Sequence, residues 1–230
     1  MRCDWTNNVA LESAFHVCEY TEVSVGQLRN TRRRYCEEVK HFSPRRQREF
    51  IFGRALCDRA MSRWGYSEFQ LGVSRSGMPL WPDELVGSIS HDEDCYLVAV
   101  ASKADVRYVG VDVHYLLPYE QMSRILSKFE TEAFQCIQQR LAPCDLSKYQ
   151  MVNLLWSAKE AAYKSLPESA QSGSLQDFVV RDADVATNSS FDFFIRLTLA
   201  ELELERTVMA RFYRGFVVCV CIGCDNKRMS

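Results

Sequence analysis

The chain predicts an α+β fold, and three stretches carry that reading. Ser43-Pro44 opens a run to about Trp64 that reads as a helix, since serine is a good N-cap and proline suits the first helical position. Tyr108-Val-Gly110-Val-Asp112-Val-His114-Tyr115 alternates with a period of two, as a strand does. Trp156-Ser-Ala-Lys159-Glu160-Ala-Ala-Tyr163-Lys164 is dense in helix-favouring residues.

Residues 1–43 carry the weakest pattern. The Cys18–Val25 run is compatible with a strand, and Arg29 with Arg32, Arg33 and Arg34 forms a basic patch that reads as a solvated face. In the helix from Pro44, Arg46, Phe50 and Arg54 share a stripe. Gly53 inside it costs about 0.5–1 kcal/mol relative to alanine, which implies close approach by another group. Gly72 to Pro82 is punctuated by glycine and proline and reads as a loop carrying Arg75, Gly77 and Met78. Val86-Gly-Ser88-Ile-Ser90-His91 and Cys95–Ala101 flank an acidic turn, giving a hairpin. Lys103–Arg107 is short and polar and is the expected boundary between two parts, 1–104 and 105–230. Helical patterns follow at Met122–Lys128 and Thr131–Leu141. Leu117 and Met122 admit two readings, an exposed docking surface or core packing. Pro167–Gly173 reads as a linker, and Phe191–Leu204 and Val208–Ile222 read as strands.

Composition describes an ordinary globular protein, with 230 residues, 47% hydrophobic content and a net charge of −2. Nothing in that balance calls for a nucleic-acid partner. No apolar run approaches the ~20 residues needed to span a bilayer, and the N-terminus lacks a signal peptide's apolar stretch, so a cytoplasmic protein without a membrane partner is expected. Ten cysteines are scattered, with one tight cluster at Cys219, Cys221 and Cys224. Zinc is conceivable there, but the surrounding Phe216–Ile222 run reads as a buried strand in which cysteine acts as a small hydrophobe.

Two features suggest chemistry. Trp156, Glu160 and Lys164 lie four apart on one helical stripe; the bland reading is a surface ion pair worth roughly 0.2–0.5 kcal/mol. On the 108–115 strand, Val109, Val111, Val113 and Tyr115 share one face, and Tyr108, Gly110, Asp112 and His114 the other. Aspartate is depleted in strands, and a buried carboxylate needs donors or a cation. The bland reading there is an edge strand with a solvated polar face. A strand carboxylate beside a helix carboxylate and a lysine can also hold Mg²⁺ against a phosphate, since magnesium takes few protein oxygens and completes its shell with water and substrate.

Gly110-Val-Asp112, followed some fifty residues later by Trp156-x-x-Lys159-Glu160-Ala-x-x-Lys164, resembles the signature of the 4′-phosphopantetheinyl transferases, in the monomeric surfactin- and enterobactin-type form. The likeness extends over roughly residues 44–166. It implies two similar α+β halves related by a pseudo-twofold, each a small antiparallel sheet on a long helix, with coenzyme A between them. It implies transfer of the 4′-phosphopantetheine arm to a serine of an apo acyl or peptidyl carrier protein, releasing adenosine 3′,5′-bisphosphate. Arg46 and Arg54 would grip the 3′-phosphate, guanidinium being suited to two phosphate oxygens at once. Gly77-Met78-Pro79 resembles the family's adenine- and phosphate-contacting loop; lysine is common after that glycine, so Arg75 would supply the charge instead. Ser88-Ile-Ser90-His91 is similar to the phosphate-binding Ser-x-Ser/Thr-His. Phe129-Glu-Thr-Glu132 resembles another family segment.

By the same likeness Asp112 and Glu160 would hold Mg²⁺. Glu160, directly or through a metal-bound water, would take the serine proton, and Lys164 would contact the pyrophosphate and steady the departing phosphate. Lys159 and Trp156 would pack and orient. His114 departs from the family's Asp-x-Glu: imidazole is a poor magnesium ligand, so His114 would either face the metal's water shell or shift preference towards Mn²⁺. Two other readings compete, a non-catalytic coenzyme A or carrier-binding module and a metal-dependent phosphohydrolase. The stretch from Pro79-Leu-Trp-Pro82 to Ser88-Ile-Ser90-His91 looks enterobactin-like and favours secondary metabolism, with siderophore, polyketide and fatty-acid carriers all left open.

Overall fold

The computed structural model describes residues 15–19, 23–67, 69–126, 131–171, 173–186 and 192–223. Phe129, Glu130 and Cys224 lie outside them. The first half contains β1 (Phe15–Glu19), α1 (Val25–Arg34), α2 (Cys36–Val39), α3 (Pro44–Met61), the two-residue strands β2 (Gly72–Val73) and β3 (Pro79–Leu80), then β4 (Leu85–Asp92) and β5 (Cys95–Ser102). The second contains β6 (Tyr108–Tyr115), α4 (Tyr119–Leu126), α5 (Thr131–Arg140), α6 (Lys148–Lys164), β7 (Phe178–Val185), β8 (Phe193–Leu199), β9 (Leu204–Tyr213) and β10 (Phe216–Gly223).

Both long helices start on a serine. Ser43 accepts from the Arg46 N–H with Pro44 in the first turn, and Ser147 forms a reciprocal capping box with Gln150. The two halves repeat one plan. In the first, an opening strand precedes the long helix and a closing hairpin follows it, giving the order β1-β5-β4; the second gives β6-β10-β9 and adds β8 and β7 at the far edge. All the ladders are antiparallel. In each half the final strand pairs back onto the first, and the long helix packs on the sheet so formed.

Period-two alternation assigns each strand face to a core. On β5, Tyr96, Val98 and Val100 pack with Leu56, Ala60 and Met61 of α3. Leu97, Ala99 and Ala101 turn the other way, meeting Val109, Val111 and Val113 of β6 with Val218 and Val220 of β10. This middle core is shared between the halves. A third core lies between α5, α6 and the sheet, around Ile137, Leu154, Leu155, Ala158, Ile195 and Leu197.

The seam between halves is polar. β4 lies beside β6 and runs in the same direction, and serine and aspartate side chains replace backbone pairing. Ser88 Oγ accepts from Val111 N–H at 3.1 Å, Ser90 Oγ from Val113 N–H at 3.2 Å, and Asp92 Oδ2 from Tyr115 N–H at 2.7 Å. Backbone donors of β6 that would otherwise be left unpaired are thereby satisfied.

Several expectations change. Cys18–Val25 is not one strand: β1 ends at Glu19 and α1 begins at Val25 behind a Ser24–Gln27 capping box. Val208–Ile222 is a hairpin, β9 and β10, turning at Arg214 and Gly215, both at positive φ. β7 was not anticipated. Met122 is fully buried, so the packing reading holds for it. Cys219 and Cys221 are buried in the strand expected of them. Among the described residues no helix is long and apolar enough to cross a membrane.

Candidate functional site

Asp112 stands on the face of β6 that α6 covers, not on a solvated face, and is 5% exposed. Gly110 lets the helix come that close: a Cβ there would fall 2.0 Å from the Ala161 carbonyl oxygen and 2.6 Å from Ser165 N. Three donors surround the Asp112 carboxylate. Lys164 Nζ donates to Oδ1 at 2.7 Å, Ser90 Oγ to Oδ1 at 2.9 Å and Ser157 Oγ to Oδ2 at 2.7 Å. Lys164 Nζ also donates to Ser90 Oγ at 3.0 Å. Strand β4 of one half and β6 and α6 of the other thus meet in a single network, which answers the need of a buried carboxylate for paired donors.

Glu160 lies one turn before Lys164. Burial pushes its carboxyl above the usual range; Lys164 opposes this and the Asp112 charge adds to it. Among the described residues nothing hydrogen-bonds its carboxylate. Lys159 is on another face, nearly fully buried, donating to the Leu175 carbonyl at 3.2 Å. Burial lowers its ammonium to about 8, against the pull of Asp177. It anchors the turn before β7.

Ser90 and His91 are neighbours in sequence but face opposite ways. His91 turns to α3, where Nε2 sits 3.3 Å from Glu49 Oε2 and the ring stacks on Tyr96. Glu49 also takes Arg45 Nε at 2.9 Å and Arg46 Nη1 at 3.4 Å. Burial alone would raise the Glu49 carboxyl, but bonds from Arg45, His91 and Arg46 outweigh it and hold it low. Arg46 and His91 are therefore brought together, around a carboxylate. Arg54 departs from expectation. It is 5% exposed, with its guanidinium 4.5 Å from the Phe50 ring centroid and 5.9 Å from that of Tyr35, and Nε has no hydrogen-bond partner. Its guanidinium lies in a largely enclosed place over the Phe50 and Tyr35 rings. Arg29 and Arg32, read as a solvated face, line a groove of about 480 Å³ with Arg48 and Phe52.

His114 also finds a different partner. Nδ1 lies 3.3 Å from Asp92 Oδ2 across the seam, and Nε2 is enclosed without a hydrogen bond. Among the described residues no group of three or more histidine, cysteine or acidic side chains converges as a metal site. Asp112 and Glu160 remain as a pair of hard oxygen donors, and among the described residues the second accepts no hydrogen bond. That pair fits magnesium, which needs few protein oxygens, and does not fit zinc, which prefers a closed set of nitrogen and sulfur ligands.

A cavity of about 330 Å³ opens between the halves. Met78, Pro79 and Trp81 line it from one side, and Tyr108, Lys164 and Arg206 from the other. Arg75 is exposed on the β2–β3 turn, where Gly77 has φ 92°. From that turn Ser76 Oγ donates to Glu168 of the second half. Arg206, with its guanidinium carbon 3.7 Å from the Tyr108 ring centroid, donates to Ser165 at 3.1 Å.

Ser157 and Arg206 were not singled out from sequence. Ser157 was detectable, because it lies three before Glu160 and seven before Lys164 on the same helical stripe. Arg206 gives no such signal, as only the fold brings β9 to the end of α6.

Comparison with known proteins agrees with this two-part architecture. The family described as the 4′-phosphopantetheinyl transferase N-terminal domain matches residues 35–101, and the 4′-phosphopantetheinyl transferase superfamily matches residues 108–221. An enterobactin synthase component D from Salmonella austin is 28% identical over 188 residues, covering 81% of this chain and 75% of the relative. The 4′-phosphopantetheinyl transferase Npt of Nocardia iowensis is 30% identical, covering 53% of this chain and 52% of its own. Svp of Streptomyces mobaraensis, named likewise, is 31% identical over 56% of this chain and 52% of its own. The aligned parts thus span from about half to three quarters of these relatives.

Proposed function

The chain belongs to the 4′-phosphopantetheinyl transferase superfamily, and on that premise we propose that it transfers the phosphopantetheine arm of coenzyme A to a serine hydroxyl of an apo carrier protein. The observation that carries the reading is the network joining Ser90, Asp112, Ser157 and Lys164 at the cleft between the halves. Relatives named enterobactin synthase component D favour a carrier of that kind of synthase.

Coenzyme A would lie in the cavity between Met78–Trp81 and Tyr108, with its diphosphate towards Lys164. Arg46, with the His91 imidazole beside it, is suited to a further phosphate once Glu49 yields them. Asp112 and Glu160 would hold Mg²⁺, which would neutralise diphosphate charge there. The carrier serine oxygen forms a bond to the β-phosphorus while the bond from that phosphorus to the bridging oxygen breaks. Glu160, with no competing hydrogen bond, accepts the serine proton. Lys164 offsets the charge growing on the leaving adenosine 3′,5′-bisphosphate.

The test is to incubate the protein with coenzyme A, Mg²⁺ and an apo carrier, then to weigh the carrier and analyse the nucleotide. A carrier heavier by one phosphopantetheine, with one bisphosphate released per carrier, is expected. Bisphosphate without carrier modification indicates hydrolysis, and intact coenzyme A with an unmodified carrier indicates a binding module; either result overturns the proposal.

A further inference from the structure

Asp112 accepts two hydrogen bonds at Oδ1 and one at Oδ2, so Oδ1 is fully occupied. Lys164, Ser90 and Ser157 all donate to a carboxylate that is almost wholly enclosed. A divalent ion reaches Oδ1 only by displacing Lys164 or Ser90, and at Oδ2 it would still face the Lys164 ammonium across the same carboxylate. Ser90 is tied to Val113 N–H, and Ser157 sits in the buried middle of α6. Lys164 differs from both: it ends the helix, has a long flexible stem, and its side chain is 29% exposed. It also lines the inter-half cavity. An ammonium 2.7 Å from Asp112 repels a second cation at the same carboxylate, and strongly so in a poorly solvated place.

We propose that Lys164 plugs the cation seat at Asp112 until a diphosphate in the cleft draws its ammonium away, so that the divalent ion and coenzyme A bind as a coupled pair. The inference rests on the function proposed above. Metal alone meets a seat already neutralised. Coenzyme A supplies two negative phosphates, which attract Lys164 out of the network and offer the ion oxygen ligands in the same act. By linkage, each ligand strengthens the other by the same factor.

Binding of Mn²⁺, read by electron paramagnetic resonance of the free ion, tests this on the whole chain with and without coenzyme A. The unmodified protein should bind Mn²⁺ at least ten-fold more weakly without coenzyme A than with it. Lys164→Met should bind Mn²⁺ at least ten-fold more tightly than the unmodified protein when coenzyme A is absent, whereas Lys164→Arg, which keeps the plug, should not. Equal Mn²⁺ affinity of unmodified protein and Lys164→Met without coenzyme A overturns the proposal. Because the methionine variant leaves Asp112 unpaired and can fail to fold, a second reading uses the unmodified protein. Its Lys164 ¹⁵Nζ resonance should stay in place on adding Mg²⁺ alone and move on adding coenzyme A with Mg²⁺. Movement by Mg²⁺ alone sinks the plug. Failure of the transferase reading is separate, since it appears as an unmodified carrier whatever the metal does.

Discussion

At the scale of single residues, the site trades stability for chemistry. Glu160 is kept near another carboxylate, half-buried and without a hydrogen bond. Its carboxyl is raised, so the folded chain holds the proton more firmly than the unfolded chain. The associated stability is present at acid pH and is lost as pH rises through the folded value. Glu160→Gln should therefore unfold at higher urea than the unmodified protein at pH 7.5, and the two should converge near pH 4. An equal or lower midpoint at pH 7.5 would show that Lys164 fully compensates the burial. The residue types of the site, Asp112, Glu160 and Lys164, were legible because a carboxylate in a valine strand and an acid–amine stripe on a helix both violate simple patterning. Their hydrogen-bond partners were not legible. The pairing of His114 with Asp92 depends on β4 lying alongside β6, and two strands separated by a hairpin give no local sign of that neighbour.

Elements show where glycine is needed and where it is spare. Gly53, expected to mark a close approach, meets Ile89 Cγ2 at 3.6 Å from its would-be Cβ, which is ordinary contact. Gly53→Ala should thus stabilise the protein by about 0.5–1 kcal/mol through helix propensity. Gly110→Ala, forced against the α6 backbone, should cost about 3 kcal/mol or more. Thermal melts of the two variants, shifting in opposite directions, check the packing of both long helices. The tie between α1 and α3 makes a pH prediction. Burial raises the Asp58 carboxyl to about 6, against the opposing pull of Arg34 and the Thr31 hydroxyl. That contribution favours folding below the ordinary carboxylate value and is lost as pH climbs to about 6. Between pH 4 and 7 the unmodified protein should lose about 2 kcal/mol relative to Asp58→Asn. Parallel pH curves in urea would contradict it. α1 carries one sign in the sequence, the capping-box pattern Ser24-x-x-Gln27, which its arginine-rich composition outweighs. The β9–β10 turn was missed because the apolar run is nearly continuous across Tyr213-Arg214-Gly215.

On the scale of the whole molecule, repetition of strand, long helix and closing hairpin places the seam of two similar halves beside Asp112, the carboxylate that Ser90, Ser157 and Lys164 share. Neither half completes this network alone, since Ser90 comes from the first and the rest from the second. The repeat could not be read from the letters, because the halves share a path and not a sequence. We infer that this seam is a phosphopantetheine-transferring centre in which Glu160 takes the nucleophile's proton. It is tested most directly by the rate at which an apo carrier gains one phosphopantetheine mass, followed for the unmodified protein and for Glu160→Gln at saturating coenzyme A and Mg²⁺. The rate should fall by about 10²–10⁴ in the folded variant, the usual contribution of a positioned general base. A Glu160→Gln rate within a few-fold of the unmodified protein would contradict it.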